Sequence, residues 1–348
     1  MSNVVENRVI EIVRHCVRGS RGSLGSLGAP GSVPFGQNAN LEHRVNPVNL
    51  LVMISTVVEL VTAGESFDDL LFYGLTRLPE AGQELRTTSF LRSPGGGAVI
   101  TAVAAARLGV RCAVVSALSA ESAQLLRAER IAIRNLRANS EPTALTIALS
   151  TRRDRRFITF EGGNRRVPSR IRALLPRTRT RHVHFAFVPR PCAPWIASLH
   201  RLKRRGVTTS WDFGWDDGLA HDPEFFSVAF AVDFLFLNRA ETLMYARRRS
   251  LRAAIDRWRT ARTRVVVKLG PSGSRVVGGG VDVRAPAPRV RRVVDSTGAG
   301  DAFNGGFLAA VLRGRPLRDA LALANRVGAA STQQPGGIAG LPRLRGLS

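Results

Sequence analysis

From about residue 48 onward the sequence predicts an α/β fold, with a central, mainly parallel sheet, helices on both faces and a smaller accessory sheet. Two observations carry that prediction. Short, continuously apolar β-rich runs alternate with helical stretches, which is the pattern of strands covered on both sides by crossover helices. Two early segments are β-rich with no helix between their halves, so they fall outside that layer.

In chain order, LVTAG (60–64) reads as a buried strand ending in a turn, and two short strand-like runs follow around ELRTTSFL (84–91). AVITAVAAARLG (98–109) is a helix rich in small residues, stopped by Gly109. RCAVVSAL (111–118) is the next strand, and TALTIALSTRRDRRFITFEGG (143–163) is a hairpin around a charged turn. HVHFAFV, WIASLHRLKRRG and VTTSWDFG give strand, helix, strand between 182 and 214. FLFLN (234–238) is an apolar strand, LRAAIDRWRTAR (251–262) a helix and RVVVKLG (264–270) a buried strand. After a further hairpin-like piece, a strand ending at Val294 leads through a glycine-rich loop to helices at 301–313 and 316–332.

Residues 1–47 differ. GSRGSLGSLGAPGSVPFG (19–36) is too poor in apolar side chains to offset the cost of ordering and reads as part of a disordered extension. The remaining chain, 48–348, reads as one large domain, and 44% hydrophobic residues supply a core for it. The longest apolar run, VNLLVMISTVVELV (48–61), is broken by Ser55, Thr56 and Glu59 and is shorter than the roughly 20 residues of a membrane span. Cys16, Cys112 and Cys192 are odd in number and far apart, which suggests neither a disulfide framework nor a zinc site and fits a reducing, cytoplasmic setting. The net charge of +25 would fit a nucleic-acid binder. Yet only Lys203 and Lys268 are lysines, the arginines are spread along the whole chain, and no nucleic-acid-binding motif is present. The skew reads as coding bias, and nucleic acid is not the expected partner.

The densest chemistry lies in DSTGAGDAFNGGF (295–307). Gly298 and Gly300 let successive amides turn inward, and the helix that follows adds its positive end, together making an anion site. At the carboxyl end of a parallel strand this is where ligands bind. Asp301 reads either as a helix cap or as a general base beside a bound phosphate. The second reading points to phosphoryl transfer to an alcohol. The GxxxxGK[ST] loop, the GxGxxG turn after the first strand and the HRD/DFG pair are all missing, so the scaffold is a different one.

DSTGAGDAFNGGF resembles the C-terminal signature of the ribokinase (PfkB) family of carbohydrate kinases. Other pieces resembling that family appear in the family's order: GESFDD (64–69), GGGAVITAVAAARLG (95–109), NRAE (238–241) and KLGPSG (268–273). The likeness spans about 50–342 and implies a ribokinase-like three-layer fold with a β lid, its strands at approximately 83–94 and 143–162. It implies ATP and Mg²⁺, with Asp301 as base and the amides of Gly298, Ala299 and Gly300 as anion hole. Asp69, Gly95 and Gly96 would hold the sugar. Asn238, Lys268, Gly270, Gly273, Gly300 and Asn325 would hold the nucleotide. Glu241 and Asn238 would organise Mg²⁺ through water, and Asp295 and Thr297 a monovalent cation such as K⁺. The lid would also serve a homodimer.

Each motif has a plainer alternative: a helix start for NRAE, a turn for Asp69 beside Asp68, a β-turn for Gly270 and Gly273, a loop cap for Asp295. Three departures stand out. Ile100 replaces the asparagine that usually reaches a sugar hydroxyl, Lys268 replaces a threonine, and AESAQLL (120–126) replaces a Gly-Asp-x-x-Gly turn. Asp212, in the aromatic and acidic SWDFGWDDG (210–218), faces either the nucleotide or a structural partner. Arg155 and Arg156 in the hairpin open a second reading, a nucleoside or sugar-phosphate kinase. A catalytically weak nucleotide-binding homologue is a third.

Overall fold

The computed structural model of the chain describes residues 58–151 and 155–344, with the backbone alone for Arg155. The extension at 1–47 and most of the apolar run at 48–61 lie outside the described residues, as does Cys16.

The main sheet has nine strands. Seven run parallel: β1 (Leu60–Gly64), β4 (Cys112–Ser116), β5 (Ala132–Asn135), β8 (His182–Ala186), β9 (Thr208–Asp212), β10 (Phe234–Asn238) and β11 (Arg264–Lys268). An antiparallel hairpin, β12 (Ser274–Gly278) and β13 (Val281–Ala285), closes one edge, giving the order β13-β12-β11-β10-β9-β8-β1-β4-β5. Most of these strands are buried on both sides, as their continuous apolar runs require. One face is covered by α1 (Gly97–Arg107), α2 (Ala120–Ala128), α8 (Ala299–Leu312) and α9 (Leu317–Ser331), around Phe307, Leu308 and Val103. The other is covered by α3 (Val167–Leu174), α4 (Ala193–Arg204), α5 (Phe225–Ala229), α6 (Arg239–Ala246) and α7 (Leu251–Arg259), around Trp195, Trp211 and Trp258. Among the described residues no helix is long and apolar enough to cross a membrane.

The second sheet has four strands in the order β3-β2-β6-β7, where β2 is Phe67–Leu75, β3 Phe90–Gly95, β6 Leu145–Thr151 and β7 Arg155–Phe160. The hairpin expected at 143–162 is present as β6 and β7. The strand expected across 83–94 begins only at Phe90, and the longest lid strand, β2, is one the hydrophobic pattern does not reveal. Its first residues, Phe67-Asp68-Asp69, pair with Gly95, Pro94 and Ser93. The strand expected to end at Val294 is also absent: the amides of Val294 and Asp295 both donate to Thr332 O, and Val293 is exposed.

The chain leaves β1 toward β4 and β5 on one side, then returns to β8 on the other. The sheet therefore divides between β1 and β8, and a crevice opens at their carboxyl ends. Gly64 and Ala186 end these two strands, and a Cβ on Gly64 would collide with Ala186 O.

Candidate active site

The helix expected to begin near Asp301 starts earlier, at Ala299, with Gly298 as its N-cap at φ +69°. Asp301 is therefore the third helical residue and not the cap. No protein hydrogen-bond partner for its carboxylate is found among the described residues, which removes the plainer account of this residue. The Ala299 amide donates weakly to Ser296 O at 3.3 Å, whereas Gly298, Gly300 and Asp301 offer amides without such a partner among the described residues. These three make the better anion site.

The Asp301 carboxylate lies over the floor of the crevice. A Cβ on Gly97 would sit 3.1 Å from Asp301 Oδ1 and 2.9 Å from Ala186 Cβ, and one on Gly95 would fall on Asp69 Oδ2. Gly95, Gly96 and Gly97 thus form a strip of bare main chain at the start of α1, with Asp69 at one end and Asp301 at the other. Gly96, at φ +91°, caps α1 and packs against the backbone of Glu65 and Ser66. Gly97 is a site residue that the motif comparison did not single out, although the triplet of glycines was a signal for it.

The strand's alternation sends Asp68 and Asp69 to opposite faces. Asp68 bonds Arg92 at 2.7 Å and Ser119 at 2.6 Å, which makes it structural. Asp69 points to the opposite face, toward Gly95 and Asp301. Burial, then the charge of Asp301, pushes its carboxyl up to about 7. Asp301 is likewise pushed to about 7, by burial and then by Asp212, against the pull of Lys268. Ile100 is 2% exposed, and its Cδ1 would meet a Cβ on Gly298 at 2.6 Å and one on Gly337 at 2.5 Å. It wedges the anion loop against the 336–337 turn and offers no polar group there.

Behind Asp301 lies a polar cluster. Asn238 and Glu241 form a complete capping box at the start of α6. Glu241 N donates to Asn238 Oδ1 at 2.9 Å, while Asn238 donates to Glu241 through its backbone at 2.8 Å and its side chain at 2.6 Å. The helix-start reading of NRAE therefore holds, without excluding the other. Burial and Asp212 push Glu241 up to about 7, the condition of a carboxylate short of positive charge. Its donors are oxygens suited to a hard cation, and since both already accept bonds, a divalent ion fits best through water. Lys268 Nζ lies 2.6 Å from Asp212 Oδ2 and 3.5 Å from Asn304 Oδ1, and Asn304 also donates to Asp212 Oδ2 at 2.7 Å. So Asp212 has the structural partner considered for it, and that partner is another site residue. The contribution of Asn304 is invisible in the sequence, because Asp212 and Lys268 are 92 and 36 residues away.

Asp295 Oδ1 accepts from the backbone and hydroxyl of Thr297 at 2.9 and 2.8 Å, and its Oδ2 from Gly336 N at 2.9 Å, which ties the anion loop to the 336–337 turn. Gly270, at φ +57°, has open space where a side chain would be, whereas a Cβ on Gly273 would strike Ala285 O. Asn325 spends its amide on Ala285 O and Pro286 O, both at 3.1 Å, holding the segment that leaves β13. Arg156 shares its register with Leu149 and Phe72, on the lid face opposite Asp69. It is badly placed to reach the acceptor.

Residues 60–344 match the model of the pfkB family of carbohydrate kinases. The chain belongs to that family. It is 26% identical over 312 residues to a 2-dehydro-3-deoxygluconokinase of Bacillus subtilis, covering 84% of this chain and 94% of that one. It is 35% identical over 192 residues to an acarbose 7(IV)-phosphotransferase of an Actinoplanes species, covering 53% and 61%. In fold it is similar to a ribokinase of Giardia lamblia, with a TM-score of 0.71 at 19% identity over 83% of this chain and 98% of that one. The family's general activity, phosphoryl transfer to sugars or nucleosides, is accordingly that of this fold and these motifs.

Proposed function

We propose that this pfkB family chain transfers the γ-phosphoryl group of ATP to a hydroxyl of a sugar or sugar-like acceptor, with Asp301 as general base. The observation that carries this reading is the Asp301 carboxylate, free of protein hydrogen bonds, beside unpaired amides and over a glycine floor. A proton acceptor raised to about 7 is matched to taking a proton near neutral pH. An acceptor lying on Gly95–Gly97 places a hydroxyl at Asp301 while Asp69 holds a neighbouring hydroxyl. The amides of Gly298 and Gly300 stabilise charge on the transferred group, the largest single contribution in such reactions. The lid covers the acceptor and excludes water, the competing nucleophile.

ATP supplies the transferable phosphoryl group, and Mg²⁺ neutralises its charge. Glu241 and Asn238 would hold that ion through water. Lys268, Gly270 and Gly273 border the nucleotide, Gly270 by leaving room and Asn325 by fixing the 285–286 backbone. Asp295 and Thr297 brace the loop and remain the candidates for a K⁺ ion. Such chemistry belongs in the cytoplasm, where ATP is made. The outer lid face presents Phe72, Phe90, Ile147, Leu149, Ile158 and Phe160, with Arg92 and Arg156 among them, a largely apolar surface for a second copy of this chain.

The test is ADP release from ATP and Mg²⁺ with a panel of sugars, deoxy sugar acids, sugar phosphates and nucleosides. One acceptor class should stand out, and Asp301→Asn should abolish its turnover while ADP still raises Tm. Undiminished turnover in that variant sinks the assignment. Thermal stabilisation by ATP with no turnover on any acceptor returns the chain to a binding role.

A further inference from the structure

One feature of the site exceeds what a base, an anion hole and a cation require. Lys268 is one of only two lysines in a chain of 348 residues, and it stands where threonine is usual. It ends β11 and Asp212 ends β9, so the 2.6 Å ion pair crosses β10 at the ligand end of the sheet. Both side chains lie on the α8 side of the sheet, where Asn304 reaches them from the second turn of α8. The Lys268 side chain is 13% exposed, and its ammonium would lie 3.2 Å from a Cβ on Gly300. It therefore lies beside Gly300 of the 298–301 loop, two residues along the chain from the open turn at Gly270.

A buried ion pair is a poor stabilising device, because removing two charges from water cancels most of their attraction. Well-packed apolar side chains would serve the core better. Positive charge fixed beside unpaired amides has a clearer use where negative charge builds on a transferred group.

We propose that Lys268 is a catalytic residue whose ammonium hydrogen-bonds the transferring phosphoryl group, held in place by Asp212 and Asn304 as positioning residues. This rests on the kinase reading above. Asp212 gives the ammonium a fixed anchor and keeps it charged, and Asn304 orients that anchor by donating to the same oxygen. Burial works against the ammonium charge, and Asp212, Glu241 and Asp301 together outweigh it and favour the charged form.

The test separates chemistry from packing with a neutral pair. Lys268→Met alone strands Asp212 as a buried, unpaired carboxylate and lowers Tm. The double variant Lys268→Met/Asp212→Asn removes both charges and keeps a side chain at 212 for Asn304. It should recover the Tm of the parent, while kcat stays about 100-fold down and KM for ATP moves only a few-fold. Recovery of kcat together with Tm would overturn the proposal and make the pair structural. A second measurement needs no acceptor. In Mg²⁺ buffer, ADP alone should raise Tm equally in parent and double variant. Adding beryllium fluoride, which mimics the γ-phosphoryl group, should raise it further only in the parent. An equal further rise in both would also overturn the proposal. Loss of the ADP effect in the parent itself would instead mark failure of the kinase reading.

Discussion

Gly298→Ala has a cost that separates into two parts. Gly298 occupies the left-handed region at φ +69°, where adding a Cβ costs about 1–2 kcal/mol. The same atom would lie 2.6 Å from Ile100 Cδ1 and 3.0 Å from Gly337 Cα. Crowding of that kind in a filled interior costs about 1–3 kcal/mol. The single variant should therefore lose about 2–5 kcal/mol of unfolding free energy, as the sum of these two costs. Ile100→Val deletes the offending Cδ1 and by itself costs about 0.5–1.5 kcal/mol. Combined with Gly298→Ala it removes most of the crowding and none of the backbone strain. Urea unfolding of the four proteins, at constant m, should give a favourable coupling of about 1 kcal/mol or more between the two sites. Losses that add within about 0.5 kcal/mol would show that Ile100 does not press on this loop, and the account of Ile100 as its wedge would be wrong.

Three other outcomes follow from the same geometry. Asp301 holds its proton to about pH 7 in the folded chain but to about 4 when unfolded, so between those values the folded state binds more protons and stability falls as pH rises. Buried His182 and His184, pulled down to about 3 and about 4, act in the opposite sense below about pH 6.5, so the clean measurement is a difference. The Tm advantage of Asp301→Asn over the parent should grow from pH 5 to 8, and a constant offset would refute the shift. Gly95→Ala drives the Asp69 carboxylate off its position and should raise KM for the acceptor roughly 10-fold or more while leaving KM for ATP unchanged. Equal changes in both would mean that Asp69 does not serve the acceptor. Ile158→Glu puts a charge on the exposed edge strand of the outer lid face, and sedimentation should change from dimer to monomer. A parent already monomeric removes the second-copy reading.

The parallel sheet, its helices and the anion loop were legible because each is written in local pattern: continuous apolar strands, small residues on a helix, glycines before a helix start. The miss at β2 has a physical cause. FDDLLFYGL opens with two carboxylates and shows no clean alternation, because Asp68 is buried against Arg92 and Ser119 while Asp69 faces the site. Propensity favours neither position, and only the pairing with β3 and β6 makes a strand of them. The opposite error occurs at Val293-Val294, where two β-branched residues read as a strand end but find no neighbouring strand. Glycine spacing led to the loop but placed the helix start two residues late, which is why a cap stood as one of the two readings of Asp301. The Lys268–Asp212–Asn304 cluster joins positions 36 to 92 residues apart, which no local pattern connects.

The strip from Gly95 to Gly97 has a consequence for how such a chain changes its acceptor. A surface made of peptide groups presents the same donors and acceptors whatever mutation does elsewhere, and it resists mutation itself, because a Cβ would strike Asp69 from Gly95, the Glu65 backbone from Gly96 and Ala186 from Gly97. Selectivity is therefore written from above and from the side, in the lid strands and around Ile100, while the floor stays common to every substrate that can lie on it.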